Sequence, residues 1–140
     1  MTDKPNFSFI VNDNEKAIKE AFDRGDYTQA ILLIHALIES LLRLFLGETQ
    51  NKRVSFSGLI KKYDQFLHQE NYPNRTFVDE LVQFNLRRNR IVHELWQKGY
   101  SLTNRQAKEA STAALMMYGL FIEWLETFGP EITRKGFRYD

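Results

Sequence analysis

The segment AILLIHALIESLLRLFL, residues 30–46, is the most apolar part of the chain and decides its fold. It is interrupted by three ionisable residues, His35, Glu39 and Arg43, which follow one another at intervals of four. This spacing places the three side chains in one line along a helix. Ionisable groups near the centre of a bilayer span would be costly, so the pattern favours a buried helix over a membrane helix.

Four other segments also repeat their apolar residues with a helical period, and none alternates in the manner of a strand. Glycines end several of these segments, Asp26 is the expected cap of the second, and the stretch NYPNR separates the third from the fourth. Long helices joined by short turns predict an all-α fold, a single up-and-down bundle of about five helices. The predicted helices cover about residues 14–24, 27–46, 57–70, 76–98 and 104–128.

The length of 140 residues suits one domain, 1–140, with its core at about 14–128 and a basic tail at 130–140. The net charge of +1 gives no global reason to expect nucleic acid or a membrane, so any such partner must bind a local patch. The first ten residues contain an aspartate and no apolar run. This argues against a secretory signal, and we expect a cytoplasmic location.

Metal and cofactor chemistry finds little support in the composition. The chain has no cysteine, and its three histidines fall on three different predicted helices. This excludes disulfides, thiol nucleophiles and cysteine-bound zinc, and it argues against any other zinc site. A glycine-rich phosphate loop and a glycine-flanked serine elbow are also absent from the sequence. We therefore expect no bound cofactor or metal.

The stretch LRRNRIVHELW, residues 86–96, belongs to the fourth predicted helix and places polar residues on its apolar face. At about 100° per residue, Arg88 projects near the middle of that face, and Asn85 and Asn89 lie in the same arc. His93 lies at the border of the arc, one turn beyond Asn89. A guanidinium left unpaired in a core costs on the order of several kcal/mol, so we expect Arg88 to be paired with a carboxylate or to open onto a cleft.

Glu39 in the second predicted helix is the carboxylate that could pair with Arg88 across the bundle. It could equally pair with Arg43, four residues further along its own helix. In a purely structural interpretation, Arg88 belongs to a buried ion pair and His93 is a boundary residue with satisfied hydrogen bonds. The sequence leaves these alternatives open.

Other cations are candidate contacts for RNA. Arg87 lies on the polar arc of the fourth helix, opposite Arg88. Lys52 and Arg53 belong to the loop between the second and third helices, which is the longest connection in the chain. Such clusters are usually solvated, and those in the loop gain a binding role only if they border the same cleft as Arg88.

The string RNRIVH, residues 88–93, resembles the signature of the HEPN domain family, an arginine followed by a polar residue and, after a short spacer, a histidine. The name stands for higher eukaryotes and prokaryotes nucleotide-binding. The string HALIESLLRLFL resembles the early helix of that family, which often carries an acidic residue where Glu39 stands. The predicted helices extend the similarity over about residues 14–128, so the resemblance implies a single HEPN-like helical domain.

The resemblance also implies a metal-independent endoribonuclease that cleaves RNA by attack of a 2′-hydroxyl on its own phosphate. Arg88 would then bind the phosphate oxygens, and His93 would transfer protons. Asn89 would orient the histidine or contact phosphate, while Glu39 and Asn85 would support the site. Such enzymes include toxins and defence effectors. The alternative is a non-catalytic HEPN module that binds a nucleotide or a partner protein.

Arg88 and His93 lie about 140° apart on a regular helix, so one helix does not easily present both to one phosphate. A site shared across a two-fold axis, or an irregular helix, would remove the difficulty. The broad apolar arc of the fourth helix exceeds what one core contact needs, and we expect a homodimer through this helix. A toxin of this family would also have an antitoxin partner, but Leu95 stands where such toxins often have a tyrosine that the partner modifies.

Overall fold

The computed structural model describes residues 7–129 and 131–137, and within these ranges it contains six α-helices and no strand. The prediction of an all-α bundle is confirmed. The helices are α1 (Phe7–Arg24), α2 (Tyr27–Leu46), α3 (Phe56–Gln69), α4 (Thr76–Lys98), α5 (Tyr100–Glu126) and the one-turn α6 (Glu131–Arg134). The first five correspond to the predicted helices, and α6 lies in the predicted tail.

Helix α2 lies at the centre of the bundle and packs against α1, α3, α4, α5 and α6. Among the helices described, it alone has the length and apolar composition of a membrane span. Because five helices surround α2, it can be apolar on most of its sides, as expected of a buried helix. Its nine buried residues are Thr28, Ala30, Ile31, Ile34, His35, Leu37, Ile38, Leu41 and Leu42.

Both ends of α2 have the caps that the sequence predicts. The Asp26 side chain accepts a hydrogen bond from the backbone N–H of Gln29 in the first turn of the helix. Gly47 ends the helix with a φ of 72°, a left-handed conformation that glycine adopts readily because it lacks Cβ. The chain then enters residues 47–55, which we call the α2–α3 loop.

Asn104 of α5 ties the start of α2 to its neighbour. Its side-chain oxygen accepts a hydrogen bond from the backbone N–H of Thr28 at 2.9 Å, and its side-chain nitrogen donates to the carbonyl of Gly25 at 2.8 Å. Asn104 therefore caps α2 from outside, whereas the sequence predicted that the fifth helix starts after Thr103 or Asn104. Helix α5 begins earlier, at Tyr100, directly after Gly99.

The packed structure extends beyond the predicted core at its N-terminal end. Helix α1 begins at Phe7 and not near Asn14, and Val11 is fully buried. The polar stretch NDN that follows Val11 interrupts the apolar pattern, which is why the sequence placed the start of the helix after it. One buried side chain before such a stretch gives too weak a periodic signal to predict a helix.

Much of the predicted basic tail is also packed. Ile132 and Phe137 are buried, and α6 contacts both α2 and α5. Arg134 and Lys135, between the two buried residues, are exposed. Residues 130 and 138–140 of this tail lie outside the described residues. The described part of the tail therefore covers one end of the core and presents its cations to solvent.

Replacing Asn104 with alanine should lower the free energy of unfolding by about 1–2 kcal/mol, because two backbone groups at the start of α2 lose their partner. Chemical denaturation followed by circular dichroism measures this loss. The matched control is Arg105→Ala, which removes an exposed neighbouring side chain and should change the free energy by less than about 0.5 kcal/mol. Equal stabilities of the two variants would contradict the capping role.

Candidate functional site

Arg88 is half-buried on α4, close enough to His35 of α2 for its charge to act on that histidine. Its Nη1 atom donates a hydrogen bond to Asn89 Oδ1 at 3.0 Å, and its Nε atom is buried without a hydrogen-bond partner. Within the described part of the chain, Arg88 forms no ion pair. The guanidinium therefore keeps an uncompensated positive charge and an unused donor at the edge of the core.

Glu39 pairs with Arg43 of its own helix. The Nη2 and Nε atoms of Arg43 lie 2.9 and 3.0 Å from the Oε2 atom of Glu39. Of the two pairings that the sequence left open, the pair within α2 is thus the one that forms. Glu39 and Arg88 both influence the charge of His35, but no salt bridge joins them. The carboxylate acts on this part of the molecule mainly by holding Arg43.

Asn85 lies one helical turn before Arg88 on α4 and links this helix to α2 and α3. Its Oδ1 atom lies 3.3 Å from His35 Nε2 on α2, and its Nδ2 atom donates to Ser57 Oγ on α3 at 3.5 Å. The ring of His35 packs against the rings of Phe56 and Phe84, with centroids 4.2 and 5.5 Å apart. The sequence singled out His35 as part of a polar line but not as a neighbour of the site, and it gave no signal for Ser57.

His35 is only 6% exposed, and burial lowers its pKa below the usual value. The hydrogen bond to Asn85 acts in the opposite direction, the positive charge of Arg88 lowers the pKa further, and Glu39 raises it. A lowered pKa keeps the ring neutral at pH 7. Because Asn85 Oδ1 can only accept, the hydrogen of the neutral ring must be on Nε2. His35 thus avoids placing a second positive charge beside Arg88.

His93 is exposed and does not contact Arg88. Its ring packs edge-on against Trp96, with centroids 4.9 Å apart. Helix α4 is continuous from Thr76 to Lys98, so the two side chains leave it about 140° apart, as on any regular helix. Within one chain, Arg88 therefore contacts Asn89 but not His93.

An exposed apolar surface surrounds His93 on α4. Trp96 is 72% exposed and Leu86 is 52% exposed. Positions 82, 86, 89, 93 and 96 follow one another at intervals of four and three, so they form one line on the helix. We call this surface the outer stripe. Its apolar members are Val82, Leu86 and Trp96, Asn89 and His93 lie among them, and exposed Val92 borders it.

The remaining predicted cations lie on two different sides of the site. Lys52 and Arg53 are exposed in the α2–α3 loop, a few residues before Ser57. Arg87 lines a groove of about 550 Å³ between α4 and α5, on the flank of α4 away from Arg88. The other residues of this groove are Arg90, Ile91, Glu94, Gln106, Glu109, Ala110 and Ala113. The loop cations therefore lie on the segment that leads to Ser57, whereas Arg87 lines a groove on the other flank of α4.

The chain cannot be assigned to a family by comparison. In the described ranges, 7–129 and 131–137, no group of three or more histidine, cysteine, aspartate or glutamate residues is arranged to hold a metal ion. Comparison with models of protein families, with curated proteins and with solved structures gives no match.

The lowered pKa of His35 predicts a loss of stability in mild acid. The unfolded chain binds a proton near the ordinary histidine pKa and the folded chain only at lower pH, so the free energy of unfolding falls as pH drops below about 6.5. The slope for one proton is at most about 1.4 kcal/mol per pH unit. Denaturation of wild type and His35→Gln from pH 7.5 to 5 measures the difference. Parallel pH profiles for the two proteins would contradict the prediction.

Proposed function

We propose that this protein is a metal-independent endoribonuclease of the HEPN type that acts on RNA as a homodimer. The main support for this proposal is the positive charge of Arg88, which no carboxylate of the described residues balances. Its guanidinium is half-buried, has no carboxylate partner among the described residues, and is bound only to Asn89 within the string RNRIVH. A cation held in this way is unfavourable unless an anion binds it, and a phosphate of RNA supplies that anion.

The residue types match transesterification of RNA. The 2′-hydroxyl oxygen forms a bond to the adjacent phosphorus, its proton leaves, and the bond to the 5′-oxygen breaks. The 5′-oxygen takes up a proton, so the products carry a 2′,3′-cyclic phosphate and a 5′-hydroxyl. A histidine side chain can accept and donate protons in such a step, and His93 is exposed. Arg88 stabilises the charge on the non-bridging oxygens, with Asn89 fixing the guanidinium.

A dimer formed through the outer stripe would unite Arg88 with a histidine. The intervals of four and three residues are those of helices that pack side by side in pairs. A two-fold axis beside Asn89 would set Val82 against the partner's Trp96 and Leu86 against the partner's Val92, because these positions are symmetric about residue 89. It would also set Asn85 against the partner's His93.

The consequence of this pairing is a composite site. Asn85 lies one helical turn before Arg88 and Asn89. The partner's His93 would therefore approach the Arg88 guanidinium, which His93 of the same chain cannot reach. Each active site would use Arg88 of one protomer and the partner's His93. The apolar stripe, which is costly to expose on a monomer, would be covered at the same time.

The positive charges needed for RNA are local. The net charge is only +1, but Lys52 and Arg53 add two exposed cations in the loop that leads to Ser57. Arg87 lines the groove between α4 and α5, and it remains a candidate contact for a strand that crosses α4. Glu39 supports the site through Arg43 and through its influence on His35.

A second function is favoured by the low net charge. A nuclease for long RNA usually has a broad basic surface, and a charge of +1 suits a non-catalytic HEPN module that binds a nucleotide or a partner protein. In that case Arg88, Asn89 and His93 contact the ligand without chemistry. Our preferred role is a toxin or defence effector in the cytoplasm. An antitoxin that modifies tyrosine would find Leu95 at the expected position.

The catalytic roles can be tested by incubating purified protein with mixed RNA in EDTA. Wild type should produce fragments with 5′-hydroxyl and 2′,3′-cyclic phosphate ends, and Arg88→Ala and His93→Ala should each lower the rate at least about 100-fold. Arg105→Ala and His68→Ala remove an exposed arginine and an exposed histidine elsewhere and should retain wild-type rates. Absence of cleavage by wild type, or full activity of either site variant, would refute the proposed enzyme.

The proposed interface can be tested by light scattering. Leu86→Glu places a charge in the outer stripe and should convert the dimer to a monomer without RNA cleavage. Leu120→Glu is the matched control, because Leu86 and Leu120 are each 52% exposed but Leu120 lies on α5. It should remain dimeric and active. A monomeric wild type, or dissociation by the α5 variant alone, would contradict an interface through α4.

A further inference from the structure

We propose that Arg43 positions the α2–α3 loop so that Lys52 and Arg53 bind the phosphates of single-stranded RNA next to the cleavage site. The inference rests on the proposed RNA-cleaving function and assigns a positioning role to a residue that the sequence considered only as a partner for Glu39. Arg43 touches no reacting group. It acts on RNA only through the backbone of the loop that it binds.

The contacts of Arg43 use every nitrogen of its guanidinium. Nε and Nη2 bind the carboxylate of Glu39, at 3.0 and 2.9 Å. Nη1 donates to the carbonyls of Glu48 at 3.3 Å and Asn51 at 2.7 Å, and Nη2 donates to the carbonyl of Val54 at 2.7 Å. Glu39 thus fixes the guanidinium, and its remaining donors hold the α2–α3 loop at three points. Only the rigid fork of arginine can satisfy all of these acceptors together.

Hydrogen bonds inside the α2–α3 loop add to this order. Asn51 Nδ2 donates to Glu48 Oε2 at 3.1 Å, and Asn51 Oδ1 accepts from the backbone N–H of Arg53 at 3.3 Å. The other carboxylate oxygen of Glu48 pairs with Lys62 of α3 at 3.2 Å. The hydrogen bonds from Lys62 and Asn51 lower the pKa of Glu48, which keeps it ionised. The acidic residue of the loop is therefore already engaged.

The loop also contains two basic residues. Lys52 and Arg53 are exposed, and neither side chain forms an ion pair with any described residue. Their structural role in the loop is limited to backbone contacts such as the Arg53 N–H. The loop is thus built to hold its backbone in place while two cations project into solvent. Adjacent free cations on an ordered backbone suit successive phosphates of a polyanion.

The α2–α3 loop ends beside the candidate site. Ser57, two residues after the loop, accepts a hydrogen bond from Asn85, which lies one turn before Arg88 on α4. Three residues lie between Arg53 and Ser57, so their Cα atoms are at most about 14 Å apart even in a fully extended chain. An RNA strand that lies on Arg88 therefore passes within the range of the loop cations. The cleaved phosphate would bind Arg88, and phosphates further along the strand would bind the loop.

Ordering the loop in advance affects binding and not chemistry. A flexible loop loses conformational freedom when it closes on a ligand, and a loop that Arg43 already holds avoids that loss. The benefit exists only for RNA long enough to contact the loop. It should therefore appear as a lower KM for an oligonucleotide, with little change in kcat and none for the shortest cleavable substrate.

The experiment compares a twelve-nucleotide RNA with a dinucleoside monophosphate, which contains one phosphate and cannot extend to the loop. Arg43→Gln should raise KM for the longer RNA about tenfold, keep kcat within about twofold, and leave the short substrate unaffected. Lys52→Ala/Arg53→Ala should do the same. Adding Arg43→Gln to that double variant should have no further effect, because the two changes remove one function.

The control for loss of charge is Lys16→Ala/Lys135→Ala, which removes two exposed cations on α1 and in the C-terminal segment and should leave both substrates unaffected. Hydrogen exchange gives a readout independent of activity, since loop amides should exchange faster in Arg43→Gln. Should that variant not fold, Arg43→Lys keeps the charge but not the fork, and its KM for the longer RNA should still rise.

Each opposite result overturns the positioning role. An unchanged KM for the longer RNA, an equal loss on both substrates, or additive effects of the Arg43 and loop variants would mean that Arg43 serves stability alone. Unchanged exchange of the loop amides would also refute it. If wild type cleaves neither substrate, the proposed function itself fails, whereas cleavage with an unchanged KM in the variants refutes only the role of Arg43.

Discussion

The structure depends on the enclosure of α2. A helix that is apolar on most sides must be covered, and five other helices pack against it. Its three polar residues on one line then need partners within the bundle. His35 finds Asn85, Glu39 finds Arg43, and Arg43 holds the α2–α3 loop as well. The partners of one polar line thus connect α2 with α4 and with the start of α3, and this junction is where the candidate site lies.

Arg88 differs from the other polar residues at this junction because its charge is not compensated. Burial keeps the pKa of His35 low, so the neighbouring ring does not add a second charge, and Glu39 is occupied by Arg43. The Nε atom of Arg88 is buried without a partner. Buried polar atoms usually have a partner, and in the proposed function an RNA phosphate supplies one for Arg88. The proposal combines this property of Arg88 with the exposed outer stripe.

Much of the fold was predictable because the decisive signals are local. The caps of α2 and the bounds of α4 follow from single residues and an apolar period, and both were predicted correctly. The helical wheel placed Arg88 among apolar residues, and the half-burial of its side chain agrees with that placement. The predicted start of α5, after Thr103 or Asn104, was wrong, because Asn104 is a typical cap residue but caps a different helix. A cap that acts across the bundle leaves no pattern in its own segment.

The candidate site was less predictable for a similar reason. Glu39 has one possible partner on its own helix and another across the bundle, and only tertiary packing decides between them. Ser57 joins the site through a contact between α3 and α4 that no spacing in the sequence indicates. The functional roles of Arg88, Asn89 and His93 remain predictions, supported by their surroundings and by the HEPN-like motif.

In the proposed enzyme, each active site combines Arg88 of one protomer with the partner's His93. Mixing the inactive Arg88→Ala and His93→Ala proteins tests it directly, because half of the dimers in an equal mixture contain one chain of each. Every such dimer has one site with both wild-type residues, so about one quarter of the wild-type cleavage rate should return after subunit exchange. A mixture that forms mixed dimers and stays inactive would contradict the composite site.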